Sequence, residues 1–194
     1  GGVKVGMVHH HADHQTIRAA AAAGADLSSH LINGCAPMIH RQHNIIWSQL
    51  SLDELWASFI ADGYHIPNYT LRAAIGAKGV ERSILISDLS SLSGMPDGEY
   101  EANEMTVVLK EGGLWVKEKG TNLLSGAAKT LDLDVQFLAA EAGFPLEQAL
   151  IMATVNPARY FGIGRQMQLY SGRKGPLAVF SWEKEKLHVH KILK

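Results

Sequence analysis

Four apolar runs in the first half of the chain each give way, at the C-terminal end, to a residue that can do chemistry. Val3 to His9, Asp26 to His30, Leu55 to Ala61 and Arg82 to Ser87 read as short strands. They deliver His9, His30, Asp62 with His65 three residues on, and Asp88. A helix is expected between the first two, from an N-cap at Asp13 to Ala23, with Gly24 as its stop. A long polar segment, Leu31 to Gln49, separates the second and third and is expected to be irregular; so long a loop in a compact domain is usually functional. Pro67, at the first helical position, opens a helix to about Ala77 that Gly79 closes. Strands alternating with helices or long loops imply parallel pairing through right-handed crossovers. In a (β/α)₈ barrel the C-terminal strand ends gather around one site. Four successive strands ending this way is more than composition supplies, although each residue alone is weak evidence.

The second half reads differently. Ser90 to Gly98 is turn chemistry, and Met105–Leu109 and Leu114–Val116 flank Glu111-Gly112-Gly113 as a hairpin. Helices are expected over Leu131–Ala142 and Leu146–Ala153, and tail strands over Leu177–Trp182 and Leu187–Leu193. The composition, 46% hydrophobic and 19% charged over 194 residues, is globular. A net charge of -1 leaves no basic field for nucleic acid. Charges interrupt every apolar stretch before 18 residues, so no membrane span is expected. Cys35 stands alone, which excludes an internal disulfide and a four-cysteine zinc site.

Longer motifs then come into view: Val8-His9-His10-His11-Ala12, Ser29-His30-Leu31-Ile32-Asn33-Gly34-Cys35 with Arg41, and Ile60-Ala61-Asp62-Gly63-Tyr64-His65. Leu85-Ile86-Ser87-Asp88, Leu124-Ser125-Gly126 and Met152-Ala153-Thr154-Val155-Asn156-Pro157-Ala158-Arg159 follow in order. With these landmarks the chain resembles the C-terminal half of the N-acetylglucosamine-6-phosphate deacetylases of the amidohydrolase superfamily. The resemblance implies an α/β fold: the C-terminal half of a (β/α)₈ TIM-type metal-dependent hydrolase barrel, strands five to eight. Residues 1–165 would form that part, with a hairpin insertion near 100–119, and residues 166–194 the C-terminal strands of a small β-sandwich. A complete barrel needs roughly 250 residues, so the family's third metal ligand, a glutamate, is expected to lie before Gly1. Ala127 stands where the family usually has Ser, Gly175-Pro176 where Asp-Ala-Asp is common, and Val8 where Gly is usual.

The resemblance also assigns roles. His9 and His30 are implied as ligands of a divalent metal, zinc first, with iron, cobalt or nickel acceptable to imidazole. Asp88 is implied as general base and acid, and His65 as a contact to the acyl carbonyl. Asn33, Gly34, Arg41 and the turn Leu124, Ser125, Gly126 are implied as substrate contacts, Arg41 with the phosphate. The substrate is then an N-acetylated amino-sugar phosphate, cleaved to acetate and the amino-sugar phosphate by a cytoplasmic homodimer. Spacing alone does not make His9 and His30 a metal motif, and Asp88 could be a turn residue, His65 a structural histidine and Arg41 a solvated charge. His10, His11 and His14 read as surface residues or as support behind the ligands, and Cys35 as a small packing residue. Two other readings remain open. One is a different amidohydrolase. The other is a half-barrel that packs or binds without catalysing, because ligands are missing.

Overall fold

Alternation of strands with helices builds a four-stranded parallel sheet whose strands lie side by side in chain order: β1 (Gly6–Met7), β2 (Leu27–Ser28), β3 (Trp56–Phe59) and β4 (Ser83–Leu85). The computed structural model describes residues 2–102, 104–118, 123–164, 170–172 and 175–193. Met7 stands opposite Ser28, Ser28 opposite Ala57, and Ala57 opposite Ser83. The strands are shorter than the apolar runs suggest. The chain turns out of the ladder at His9 and His30, where φ becomes positive, although Ser29 N–H still donates to Met7 O at 2.9 Å.

Helices cross between the strands. The first, α1 (His14–Ala22), is capped as expected: the Asp13 carboxylate accepts the Thr16 N–H at 2.8 Å. The segment read as wholly irregular contains a helix, α2 (Ile45–Leu50). Asn44 caps it by accepting the N–H groups of Ile46 and Trp47, so the polar run is a cap and not the middle of a loop. Pro67 occupies the N-cap of α3 (Asn68–Lys78) and not its first helical position. A 3₁₀ turn, Val80–Arg82, then leads into β4.

The expected hairpin is a three-stranded antiparallel sheet, because Gly98–Ala102 adds a strand that the sequence reading left as turn and loop. We label these strands β5 (Gly98–Ala102), β6 (Met105–Lys110) and β7 (Gly113–Val116). Two helices, α4 (Leu131–Ala140) and α5 (Leu146–Ala153), follow, and the Asn-Pro-Ala-Arg segment forms a separate helix, α6 (Val155–Tyr160). Asn156 is fully buried there and donates to the carbonyls of Val80 and Ser83, tying α6 to the entry of β4. The tail pairs β8 (Leu177–Glu183) with β9 (Lys186–Leu193) as a two-stranded antiparallel ladder. The expected boundary at 165/166 lies outside the described residues.

The core fills the space between the sheet and α3, α4 and α5. Phe59, Ile66, Leu71, Ile75, Leu138 and Met152 are completely buried in it. At about 1.5–3 kcal/mol for each large apolar side chain removed from water, this cluster fixes the sheet against its helices. The positions where the strands end are therefore set by the core. No helix among the described residues is long and apolar enough to cross a membrane.

Candidate active site

His9 follows β1 by two residues and His30 follows β2 by two, so parallel in-register pairing puts them on neighbouring strand ends. Their ring centroids are 4.7 Å apart, the spacing of adjacent strands. Both residues adopt left-handed backbone, with φ 45° at His9 and 31° at His30, and Asp88 does the same after β4 with φ 50°. Ile32, between them in the chain, also has a positive φ. The remaining described non-glycine residues of this kind, Glu104, Glu111, Lys184 and Glu185, lie at hairpin turns. Such backbone costs of order 1–3 kcal/mol at each residue and clusters at functional sites.

The surroundings hold the two rings in place. The His30 N–H donates to Ser58 Oγ at 2.8 Å, and its residue is 8% exposed. His30 Nδ1 is buried without a protein partner. Asn33 N–H closes a turn onto His30 O at 2.9 Å, which brings Gly34 against the His9 ring. Gly34 has φ 68°, and a Cβ there would collide with His9, passing 2.9 Å from its Nε2. Glycine is thus required twice over, for backbone and for space. The Asn33 Nδ2 is likewise buried without a partner. Arg41 lies exposed further along the same segment, where its carbonyl accepts the Trp47 indole N–H at 3.0 Å.

The β3 end carries a pair that the sequence reading had only half identified. Asp62, 1% exposed, accepts His65 Nδ1 at 2.7 Å and the backbone N–H groups of Tyr64 and His65 at 2.8 and 2.9 Å. Burial pushes the Asp62 carboxyl up, but the hydrogen bonds from the His65 ring and these amides prevail and hold it below its ordinary value. A carboxylate on Nδ1 fixes the ring and leaves Nε2 as its outward nitrogen. An Asp three residues before a His in a turn is the signal for this pair. Lys129 adds support from far along the chain, donating to Asp62 O at 2.8 Å and lying 4.4 Å from the Tyr64 ring centre.

Asp88 is exposed and its backbone carbonyl accepts Ala127 N–H at 3.0 Å, while Ser90 N–H donates to Ala127 O at 2.8 Å. These bonds bring the turn Leu124–Gly126 to Asp88. A Cβ at Gly126, φ 75°, would lie 3.4 Å from Asp88 O. Ser125 N–H donates to Leu114 O, which ties the same turn to β7. The sequence-predicted residues thus form three local groups on consecutive strand ends: His9 with His30, Asn33 and Gly34; His65 with Asp62; and Asp88 with Leu124, Ser125 and Gly126. Their order along one sheet edge follows from the strand order. His10 and His14 face α2 and pair with its buried face, His10 Nε2 with Gln49 Oε1 at 3.4 Å and His14 Nδ1 with Ser48 Oγ at 2.7 Å. Cys35 bonds the Ile32 carbonyl.

The donor chemistry fits a metal as far as it goes. Two adjacent imidazoles, one with a buried unpartnered nitrogen and one cradled by a glycine, suit a borderline divalent ion. Among the described residues no group of three or more His, Cys, Asp or Glu side chains converges to hold one.

A parallel β/α unit with polar side chains gathered at the C-terminal ends of its strands is an α/β architecture that many kinds of protein share, and comparison with known proteins gives it a family. No protein-family model matches the chain. It is 33% identical over 166 residues to N-acetylglucosamine-6-phosphate deacetylase of Vibrio furnissii, covering 86% of this chain and 41% of that enzyme. It is 31% identical over 192 residues to N-acetylgalactosamine-6-phosphate deacetylase of Escherichia coli, covering 98% of this chain and 49% of the relative. Its fold matches, with a TM-score of 0.85 and 27% identity, a variant N-acetyl-D-glucosamine-6-phosphate deacetylase of Mycobacterium smegmatis solved in complex with N-acetyl-D-glucosamine-6-phosphate; all of this chain and 50% of that one are covered. The chain is a homologue belonging to this amino-sugar-phosphate deacetylase family, and it spans about half the length of the curated relatives it matches.

Proposed function

We propose that this chain supplies half of a metal-dependent deacetylase that removes the N-acetyl group of N-acetylglucosamine 6-phosphate or a related amino-sugar phosphate, as a cytoplasmic homodimer. The observation that carries the reading is the row His9, His30, Asp62–His65 and Asp88 on consecutive parallel strand ends, three of these residues in left-handed backbone. In this reading the strands are the fifth to eighth of a (β/α)₈ barrel, and β8 and β9 belong to a small β-sandwich.

His9 and His30 would hold the divalent ion, zinc first, with iron, cobalt or nickel acceptable to the same donors. When bound, such an ion lowers the pKa of water and polarises the amide carbonyl. Asp88 takes the proton from the attacking water and returns it to the amine nitrogen as the C–N bond breaks. His65, oriented by Asp62, donates to the oxygen on which charge develops. Asn33, Gly34 and the Leu124–Gly126 turn border the sugar, and Arg41 offers a planar fork to the phosphate.

Two imidazoles are one protein ligand short of the usual catalytic zinc site. The 194-residue chain is therefore expected to retain well under one metal per chain after dialysis and to release negligible acetate. Combined with the complementary half of a full-length relative, it should hold metal and turn over. Elemental analysis and an acetate-release assay on both preparations check this; a combined protein that binds metal but releases no acetate from either amino-sugar phosphate overturns the reading. In the same assay Arg41→Ala should raise KM for the phosphorylated sugar roughly 10- to 100-fold, the scale of a charge-assisted pair. It should leave the unphosphorylated sugar nearly untouched, and equal losses on both substrates would remove Arg41 from phosphate recognition.

A further inference from the structure

The turn that carries His65 has a second side. The Asp62 carboxylate holds the Tyr64 N–H at 2.8 Å as well as the His65 N–H and ring. Gly63, with φ 81°, lets the Phe137 ring pack where a Cβ would come within 2.7 Å of it. Tyr64 and His65 therefore leave one tightly held turn, and what fixes one backbone fixes the other. The Tyr64 side chain runs to the three-stranded sheet. Its OH donates to Glu111 O at 2.7 Å, at the turn between β6 and β7. Its ring meets the Trp115 ring of β7 edge to face, with centroids 5.8 Å apart and planes at 87°. Gly113 makes room for that indole, because a Cβ there would lie 2.8 Å from Trp115 Nε1. β7 in turn carries the Leu124–Gly126 turn. Trp115 bridges Leu124 in antiparallel sense, Val116 N–H donates to Leu123 O at 2.9 Å, and Ser125 N–H donates to Leu114 O at 3.0 Å. Shortly after that turn Lys129 closes the circuit. Its Nζ donates to Asp62 O at 2.8 Å and lies 4.4 Å from the Tyr64 ring centre, and its Cε would be 3.2 Å from a Cβ on Gly112.

We infer that Tyr64 is a positioning residue: through the three-stranded sheet it sets the turn Leu124–Gly126 in register with His65. The backbone bonds of Ala127 to Asp88 and Ser90 fix one end of that turn against β4. The other end, Leu124 and Ser125, hangs on β7, so its place relative to His65 is the place of the sheet relative to the β3 end. Tyr64 sets that place with a hydrogen bond, an edge-on ring and a cation over its face, three kinds of interaction on one side chain. In the run Asp62-Gly63-Tyr64-His65 the aspartate, glycine and histidine are accounted for by the pair and its turn, and this contact set gives the tyrosine its own task. The bond between Asp62 and the His65 ring does not pass through the sheet. Loss of the link therefore falls on the seating of the sugar and not on the chemical step. The inference rests on the roles proposed for His65 and the Leu124–Gly126 turn, but the link itself is a property of the folded chain and needs neither substrate nor metal.

Two measurements on Tyr64→Phe, which keeps the ring and loses the bond to Glu111 O, test the link. The first is backbone amide exchange in the 194-residue chain. The Val116, Ser125 and Ala127 amides should exchange on the order of 5-fold faster than in wild type, the scale of one ordinary hydrogen bond. The amides of α3 should exchange as before. Equal acceleration in α3 and in the turn, or none in the turn, overturns the proposal. The second is kinetics on the chain combined with its complementary half. KM for the amino-sugar phosphate should rise on the order of 5-fold, with kcat and metal content within about twofold of wild type. An unchanged KM, or a fall in kcat alone, overturns the proposal. Lys129→Met removes the second tie between the turn and the β3 end, should give the same split of KM from kcat, and serves if Tyr64→Phe does not fold. Faster exchange confined to the turn in a protein that releases no acetate would instead overturn the deacetylase reading and leave the link standing.

Discussion

Asp88→Asn is expected to lower kcat for acetate release by roughly 10²- to 10⁴-fold, the scale on which loss of a general acid–base group is felt. The measurement belongs on the chain combined with its complementary half, where turnover is expected. Asparagine fits the site for two reasons. It tolerates left-handed backbone as well as aspartate does, so φ 50° is kept without new strain. The contacts that bring the Leu124–Gly126 turn alongside run through the backbone carbonyl of Asp88 and not its side chain. The amide cannot accept a proton from water, and nothing else is lost. KM and metal content should therefore stay within about twofold, which separates loss of a proton shuttle from loss of a ligand. An unchanged kcat would remove Asp88 from the mechanism, and loss of metal along with rate would make it a ligand instead.

The parallel sheet was legible because apolar runs and helix signals alternate cleanly through the first 88 residues, and Asp13 caps α1 as its position before an alanine-rich run implies. The strand-end residues were legible for the same reason, since in-register parallel pairing fixes which residues come out side by side. What the pattern hides is whatever depends on distant chain. Gln49 and Ser48 read as loop because α2 is only six residues long and its polar side chains face histidines from another segment. The strand at Gly98–Ala102 exists because β6 offers it a partner; Gly98, Glu99 and Glu101 carry little strand propensity of their own. Lys129 reaches Asp62 across 67 residues of chain, which no local motif records. Asp134 is the sharpest case. An acid in the first turns of a helix is ordinary dipole complementation, and only the packing of Phe137 on Gly63 shows that this one is turned inward.

That inward turn has a thermodynamic consequence with a definite sign. A carboxyl whose folded pKa is raised from 3.8 to about 8 keeps its proton in the folded chain while the unfolded chain releases it. Folding stability therefore falls as pH rises through that window, by at most about 1.4 kcal/mol per pH unit from this group, and the full cost is present above it. Asp62 runs the other way: its folded pKa is depressed, so its contribution is present above the ordinary carboxylate range and is lost as pH falls through the folded value. Asp134→Asn removes the first of these terms and leaves the second. A neutral acid and an amide are alike in size, and both lack partners in this pocket, so the variant should match wild type near pH 4. By pH 7 it should be more stable by on the order of 2–4 kcal/mol, with the gap widening until Asp134 is ionised in both states. Urea midpoints at pH 4, 5.5, 7 and 9, with unchanged slopes, give the difference directly. A gain that does not vary with pH would mean that packing, not the proton, sets the effect.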